Sequence, residues 1–261
     1  MIEAKTLLDA GRLTEAIESL TRELKARPAD ETLRMFLFEL LLFAGEWERA
    51  LKHLDVAAGQ DAQSEVGAQV YRNNVRAMQQ RERLWSEGVA PHFISEQTEE
   101  VRLRLAAVGE WRAGRAAEAR KLLRKAARLS EPLKGRVDGR PFSDWRDADD
   151  LLAPVLELII SDKYAWLPYS QVKRLELSAP RRLRDLVWYP ARVETRGGVS
   201  GEMFVPALYE GSSRHVDDAV RLGRVTQWED EGGAERAVGL RLFLAGEEEL
   251  AISEARLIEF D

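Results

Sequence analysis

Residues 141–168, which read P-F-S-D-W-R-D-A-D-D-L-L-A-P-V-L-E-L-I-I-S-D-K-Y-A-W-L-P, divide the sequence into two halves of different grain. Before this stretch, apolar residues recur at helical spacing. After it, they alternate between Gly and Pro punctuation. The stretch therefore reads as a seam between two domains, 1–135 and 136–261. Within it, Asp144, Asp147, Asp149 and Asp150 precede an apolar run from Leu151 to Ile160 that predicts a helix buried on most sides. On that reading the carboxylates form an N-cap and an acidic first turn, accepting free backbone N–H groups and opposing the helix dipole. Pro154, which has no N–H, would make the helix start late or bend. Removing Asp147 or Asp149 would then cost only about 1 kcal/mol. Two other uses of the cluster remain open: a divalent-metal site built from hard carboxylate oxygens, or a binding surface.

Upstream of the seam the chain repeats itself. Gly11-Arg12-Leu13-Thr14-Glu15-Ala16-Ile17 overlies Gly45-Glu46-Trp47-Glu48-Arg49-Ala50-Leu51 at an offset of 34 residues, and Leu20 falls on Leu54. A third copy, Gly114-Arg115-Ala116-Ala117-Glu118-Ala119, lies 69 residues beyond Gly45. The pattern resembles the 34-residue tetratricopeptide repeat, in which a small residue turns the chain between two helices and an Ala lets the second approach the first closely. Helix pairs of this kind stack into a curved array with a concave side. Residues 64–85 read as one long helix ended by Gly88 and Pro91, Thr98 caps the next, and Pro132 with Gly135 closes the array. Counting from Gly45 and Gly114, the first helices of those repeats turn Met35, Glu39, Phe43, Val101, Arg104, Val108 and Arg112 towards the concave side. There the apolar members would take the apolar stripe of a partner helix, and Arg104 and Arg112 would pair with acids on its flank. The same apolar positions also suit the array's own core or a surface covered by the second domain.

Downstream, residues 170–177 and 181–186 predict short helical pieces. Strands are expected at 187–195, 202–205, 222–228, 237–244 and 257–260, with turns at Gly197-Gly198 and Gly232-Gly233. Trp228 is expected in the core. Short strands with little helix predict a small, strongly curved antiparallel sheet or partly open barrel, making the whole chain α+β.

Chemistry is mostly absent from the sequence. With no cysteine, disulfides, thiolate metal sites and cysteine nucleophiles are excluded, and His53, His92 and His215 lack metal-ligand spacing. No nucleophile elbow, phosphate loop or dinucleotide fingerprint occurs. The net charge of -6 divides into 22 Lys+Arg against 21 Asp+Glu for residues 1–135 and 17 against 24 for the rest, which argues against a nucleic-acid partner. One basic run stands out: Arg112, Arg115, Arg120, Lys121, Arg124, Lys125 and Arg128 against Glu118 alone, most simply a solvated helix face. No apolar run is long enough to span a membrane, and the N-terminus does not read as a signal peptide, so a cytoplasmic location is expected.

A set of residues in the second half carries a family resemblance that spans essentially the whole chain. Phe142, Asp147, Asp149-Asp150, Pro154-Val155, Glu157, Tyr164, Trp166, Pro168, Leu183-Arg184-Asp185-Leu186, Trp188, Pro190-Ala191, Pro206, Tyr209, Leu222-Gly223-Arg224, Thr226 and Trp228 together resemble the ImpE/SciE family of TagJ-type accessory proteins of bacterial type VI secretion. The resemblance implies a helical N-terminal domain, an α+β C-terminal domain, and a non-enzymatic cytoplasmic adaptor that touches the contractile sheath and the ClpV-type AAA+ ATPase. It implies no cofactor and leaves the oligomeric state unassigned. It marks Asp147, Asp149, Asp150, Glu157, Trp166, Arg184, Asp185, Trp188, Arg224 and Trp228 without giving them roles. Two rival readings use the same residues: a metal-dependent hydrolase built on Asp147, Asp149 and Asp150, and an anion-binding regulatory module using Arg184 and Arg224.

The repeat itself is open to test. Ala50 sits where two helices of a repeat must touch, so Ala50→Glu places an unpaired charge in a packed contact and is expected to cost several kcal/mol in chemical denaturation. A variant as stable as the parent would refute the repeat.

Overall fold

The computed structural model describes residues 1–58, 62–230 and 235–261. Seven helices come first: α1 (Ile2–Asp9), α2 (Leu13–Ala26), α3 (Glu31–Phe43), α4 (Trp47–Ala58), α5 (Ala62–Glu87), α6 (Glu99–Arg112) and α7 (Ala116–Ala127). Gly11, Gly45 and Gly114 turn the chain between paired helices at φ of 78°, 67° and 72°, the left-handed region that side chains disfavour. Ala16, Ala50 and Ala119 are completely buried, as close helix approach requires. Thr98 caps α6 by accepting from the Val101 N–H at 3.3 Å.

The second half carries strands β2 (Gly135–Val137), β3 (Arg140–Phe142), β4 (Trp145–Asp147), β5 (Val155–Ile160), β6 (Lys163–Pro168), β7 (Val172–Leu177), β8 (Trp188–Thr195) and β9 (Ser200–Pro206), following a short β1 (His92–Phe93) between α5 and α6. Beyond the one-turn helix α8 (Asp218–Arg221) come β10 (Thr226–Asp230), β11 (Glu235–Gly239), β12 (Leu242–Ala245), β13 (Glu248–Ala251) and β14 (Leu257–Phe260). Nine of them form one open sheet in the order β1-β6-β5-β9-β8-β7-β14-β2-β3, β13-β12-β4 form a second, and β10-β11 a ribbon. Among the described residues only β1 on β6 is parallel; the other pairings are antiparallel. The fold is a helical array followed by open, mostly antiparallel sheets, an α+β architecture.

The seam is where sequence and structure part. The run expected as a capped helix is instead a turn followed by β5, which makes a tight hairpin with β6 through Ser161 and Asp162. Ser161 takes a positive φ of 54° there. Both faces of β5 are buried, so its apolar residues do not alternate with polar ones and the run mimics a buried helix. Val155 and Ile159 enter the core shared with the array, whereas Leu156 and Leu158 enter a second core on the opposite face of the sheet.

Smaller departures have similar causes. Residues 172–177, expected as helix, form β7 between β8 and β14. The strand expected at 237–244 is two, because Gly239 at φ 104° breaks the ladder and lets Arg241 turn inward. The strand expected at 222–228 begins only at Thr226. Trp228 is 42% exposed rather than in the core, since β10 pairs with β11 alone. The Gly197-Gly198 turn joins β8 to β9, while Gly232-Gly233 lies outside the described residues.

Candidate functional site: a buried charge network and the cleft beside it

The helical and sheet halves meet through a row of buried arginines and carboxylates, each carboxylate paired with at least one arginine. Arg81 on α5 grips Glu157 on β5 with both arms of its guanidinium, at 2.8 and 2.7 Å, and donates to the Leu208 carbonyl at 2.9 Å. Arg241 lies between Glu157 and Asp147 and bonds both, while its Nε donates to the Pro206 carbonyl at 2.9 Å. Tyr209 donates to Asp147 at 2.8 Å. Tyr164 donates to Glu157, and its oxygen accepts from Trp166 Nε1 at 2.5 Å. Asp149 closes the row, accepting from Arg236 Nε at 2.8 Å and from the N–H groups of Ala237, Leu151 and Leu152. Arg236 in turn lies over the rings of Trp85 and Trp111, at 3.9 and 5.6 Å.

The pairing sets the ionisation of each group. Burial alone would raise Glu157, but Arg81 and Arg241 outweigh it and hold the carboxyl at about 2. Asp147 has one arginine rather than two, and burial, aided by neighbouring Asp149, lifts it to about 6. Burial, with the negative charge of Glu157 beside it, pushes the Tyr164 hydroxyl well above its ordinary value, so it stays a donor.

These contacts give the marked residues their roles. Arg184 pairs with Glu39 on α3 and sits 4.5 Å above the ring of Tyr71 on α5, against which Trp188 stacks. Burial raises the Glu39 carboxyl against the pull of Arg184. Arg224 donates to the Leu8 and Asp9 carbonyls and so closes the C-terminal end of α1. Both arginines of the anion-binding reading are therefore occupied within the chain. Asp185 is a local cap, accepting from the N–H groups of Arg181 and Arg182. The expected helix N-cap is corrected: Asp149 caps a turn, and Asp147 is an ion-pair partner. Their oxygens already face guanidinium and N–H donors, so they do not present a hard-oxygen set to a cation. Among the described residues no cluster of His, Asp and Glu side chains is arranged to hold a metal.

The concave side is filled from within. Phe43, Val101 and Val108 are buried in the shared core, Met35 packs against it, and Arg104 bonds the Asp150 carbonyl and Glu100. These seven positions therefore do not form one open groove, because the sheet half lies where a partner was expected. One cleft of about 640 Å³ stays open at the junction. Trp85, Val108, Trp111 and Arg112 line it from the helical half, and Arg214 and Val216 from the sheet half. Arg81, Arg241, Trp85, Trp111 and Arg236 escaped the sequence reading. A signal exists for the first: Arg81 falls in phase with Met78 and Leu84 on the buried stripe of α5.

A tetratricopeptide array clamped by buried arginines onto an open-sheet module is a two-part scaffold fold, and comparisons with known proteins identify the same two parts. The tetratricopeptide repeat family model matches residues 7–70, and the ImpE protein family model matches residues 139–259. The type VI secretion system accessory component TagJ of Pseudomonas aeruginosa is 36% identical over 258 residues, covering 99% of this chain and 91% of the relative. A Vibrio parahaemolyticus protein of known crystal structure matches with a TM-score of 0.91 at 27% identity, covering 99% of this chain and 97% of the other. The chain belongs to the ImpE family, together with that secretion accessory component.

Two outcomes follow from the network. Asp147→Ala strands the buried charge of Arg241 and is expected to lose about 3–5 kcal/mol in urea denaturation, not the 1 kcal/mol of an exposed cap; a loss near 1 would mean the pair is not formed. Glu157, held at about 2 when folded and near 4.3 when unfolded, contributes stability that is complete above pH 4.5 and lost as pH falls through 2. The stability difference between the parent and Glu157→Gln should shrink over that window, and a constant difference would contradict it.

Proposed function

We propose that this chain is a cytoplasmic, non-enzymatic adaptor of a bacterial type VI secretion system, binding a sheath component and a ClpV-type AAA+ ATPase. The observation that carries the reading is its 36% identity, over nearly its full length, to a type VI accessory component. The junction cleft supplies the physics of recognition. Trp85, Val108 and Trp111 offer an apolar and aromatic floor, and Arg112 and Arg214 stand at its edge. An amphipathic helix fits that surface, with its apolar stripe on the floor and an acidic residue towards Arg112, since Arg214 is already paired with Glu210. Trp and Arg dominate the energetics of such contacts. Val216 is 96% exposed at the lip, and no fold-related packing explains a valine there.

Its exposure also makes Val216 a clean probe. Val216→Asp leaves the core untouched, so melting should not change, while binding of the purified sheath component or of the ATPase N-terminal domain, measured by calorimetry, should weaken about tenfold. Unchanged affinity for both partners would remove the cleft from recognition. Failure of the parent protein to bind either one would remove the adaptor role itself.

A further inference from the structure

Beyond Arg112, which stands at the edge of the cleft, the basic run of residues 112–128 takes no part in that cleft. In the structure its C-terminal part becomes a single stripe: Lys121, Arg124, Lys125 and Arg128 stand at positions i, i+3, i+4 and i+7, all exposed on the outer face of α7, the last helix of the array. The stripe covers about 10 Å of helix. Its neutralisation is incomplete. Lys121 reaches Glu118 at 2.7 Å, and Lys125 only approaches Glu99, at 4.0 Å. Arg124 and Arg128 make no ion pair among the described residues. The helix dipole favours cations in the last turn, which accounts for Arg124 and Lys125 but not for Lys121. Leu129, 47% exposed, follows directly after the stripe and gives it an apolar foot.

We propose that the outer face of α7 is a docking surface for an acidic helical segment of a partner protein, with Asp or Glu at matching i, i+3 or i+4, and i+7 spacing and a large apolar residue for Leu129. Charge complementarity selects the partner. A nucleic acid offers a continuous line of phosphates, whereas this stripe is two turns long, is flanked by Glu118, Glu99 and Glu131, and belongs to a chain of net charge -6. A membrane surface calls for an apolar face beside the cations, and α7 buries its own apolar face of Ala119, Leu123 and Ala126 within the array. A short acidic helix matches both the length and the isolation of the patch.

The probe is a labelled synthetic helix bearing four Glu at that spacing and one Leu, with a scrambled peptide of equal charge as control. Anisotropy titrations use the full chain and its Arg124→Glu/Arg128→Glu variant, whose two side chains make no ion pair among the described residues, so the variant should stay folded and melt only slightly below the parent, by the lost helix-dipole contact. The parent should bind the patterned peptide at least about tenfold more tightly than the variant does, and than it binds the scrambled peptide, with affinity falling steeply towards about 0.5 M salt. Equal binding by parent and variant, or no binding by the parent, overturns the proposal. So does preference for a DNA duplex or for phosphatidylserine vesicles over the patterned peptide, which would assign the stripe to that partner instead. Neither sheath nor ATPase enters this test, so its outcome is separate from that of the secretion role.

Discussion

Everything at the junction depends on one constraint: Glu157, wholly buried in the middle of a strand, must be met by cations. A lone carboxylate in that position would be prohibitively costly, and two guanidinium groups, one from each half of the protein, make it tolerable. Arg81 reaches it from α5 and Arg241 from the break after β11. Each arginine carries its own requirement in turn, met by the Leu208 and Pro206 carbonyls and by Asp147. Such networks add little net stability over a well-packed apolar core, but they are intolerant of error. A shift of α5 by one turn against β5 would leave charges stranded. The chain of arginines and carboxylates therefore specifies where the array sits on the sheet, while apolar contact around Trp166, Trp188 and Phe38 provides the bulk of the attraction.

How much of this was legible in the sequence follows the range of the interactions involved. The helical repeat was, because Gly11, Gly45 and Gly114 act on their own turns and Ala16, Ala50 and Ala119 on the adjacent helix. The hairpins at β8–β9 and the strand at β14 were legible for the same reason. The seam was not, since a strand covered on both faces has no alternation to display. The family resemblance marked Asp147, Asp149, Glu157 and Arg184 as a set, yet it could not supply their meaning. Their partners Arg241, Arg236, Arg81 and Glu39 lie 94, 87, 76 and 145 residues away. Only a fold brings such residues together, and no local pattern records it. Carboxylates in a cluster read equally well as a cap or a metal site until the arginines arrive.

The same geometry changes what the array is for. A tetratricopeptide superhelix ordinarily presents its concave side to a partner, whereas here Phe43, Val101, Val108 and Arg104 face the chain's own second half. On the two readings proposed above, recognition would fall to surfaces that packing leaves open, the aromatic cleft at the junction and the outer surface of the terminal helix. The first is apolar with charged edges; the second is almost purely electrostatic and responds to salt accordingly.

The short strand β1, at the loop between α5 and α6, pairs with β6 through His92 and Phe93 and forms one edge of the nine-stranded sheet. A piece of the helical half is thus woven into the sheet half, and the chain leaves the array, enters the sheet, returns to the array and only then begins its second half in earnest. Neither half is a cassette. Shuffling by recombination, which readily passes self-contained repeats between genes, would here sever the sheet's own margin, so the two parts are constrained to descend together and to diversify by point substitution at the surfaces they leave uncovered.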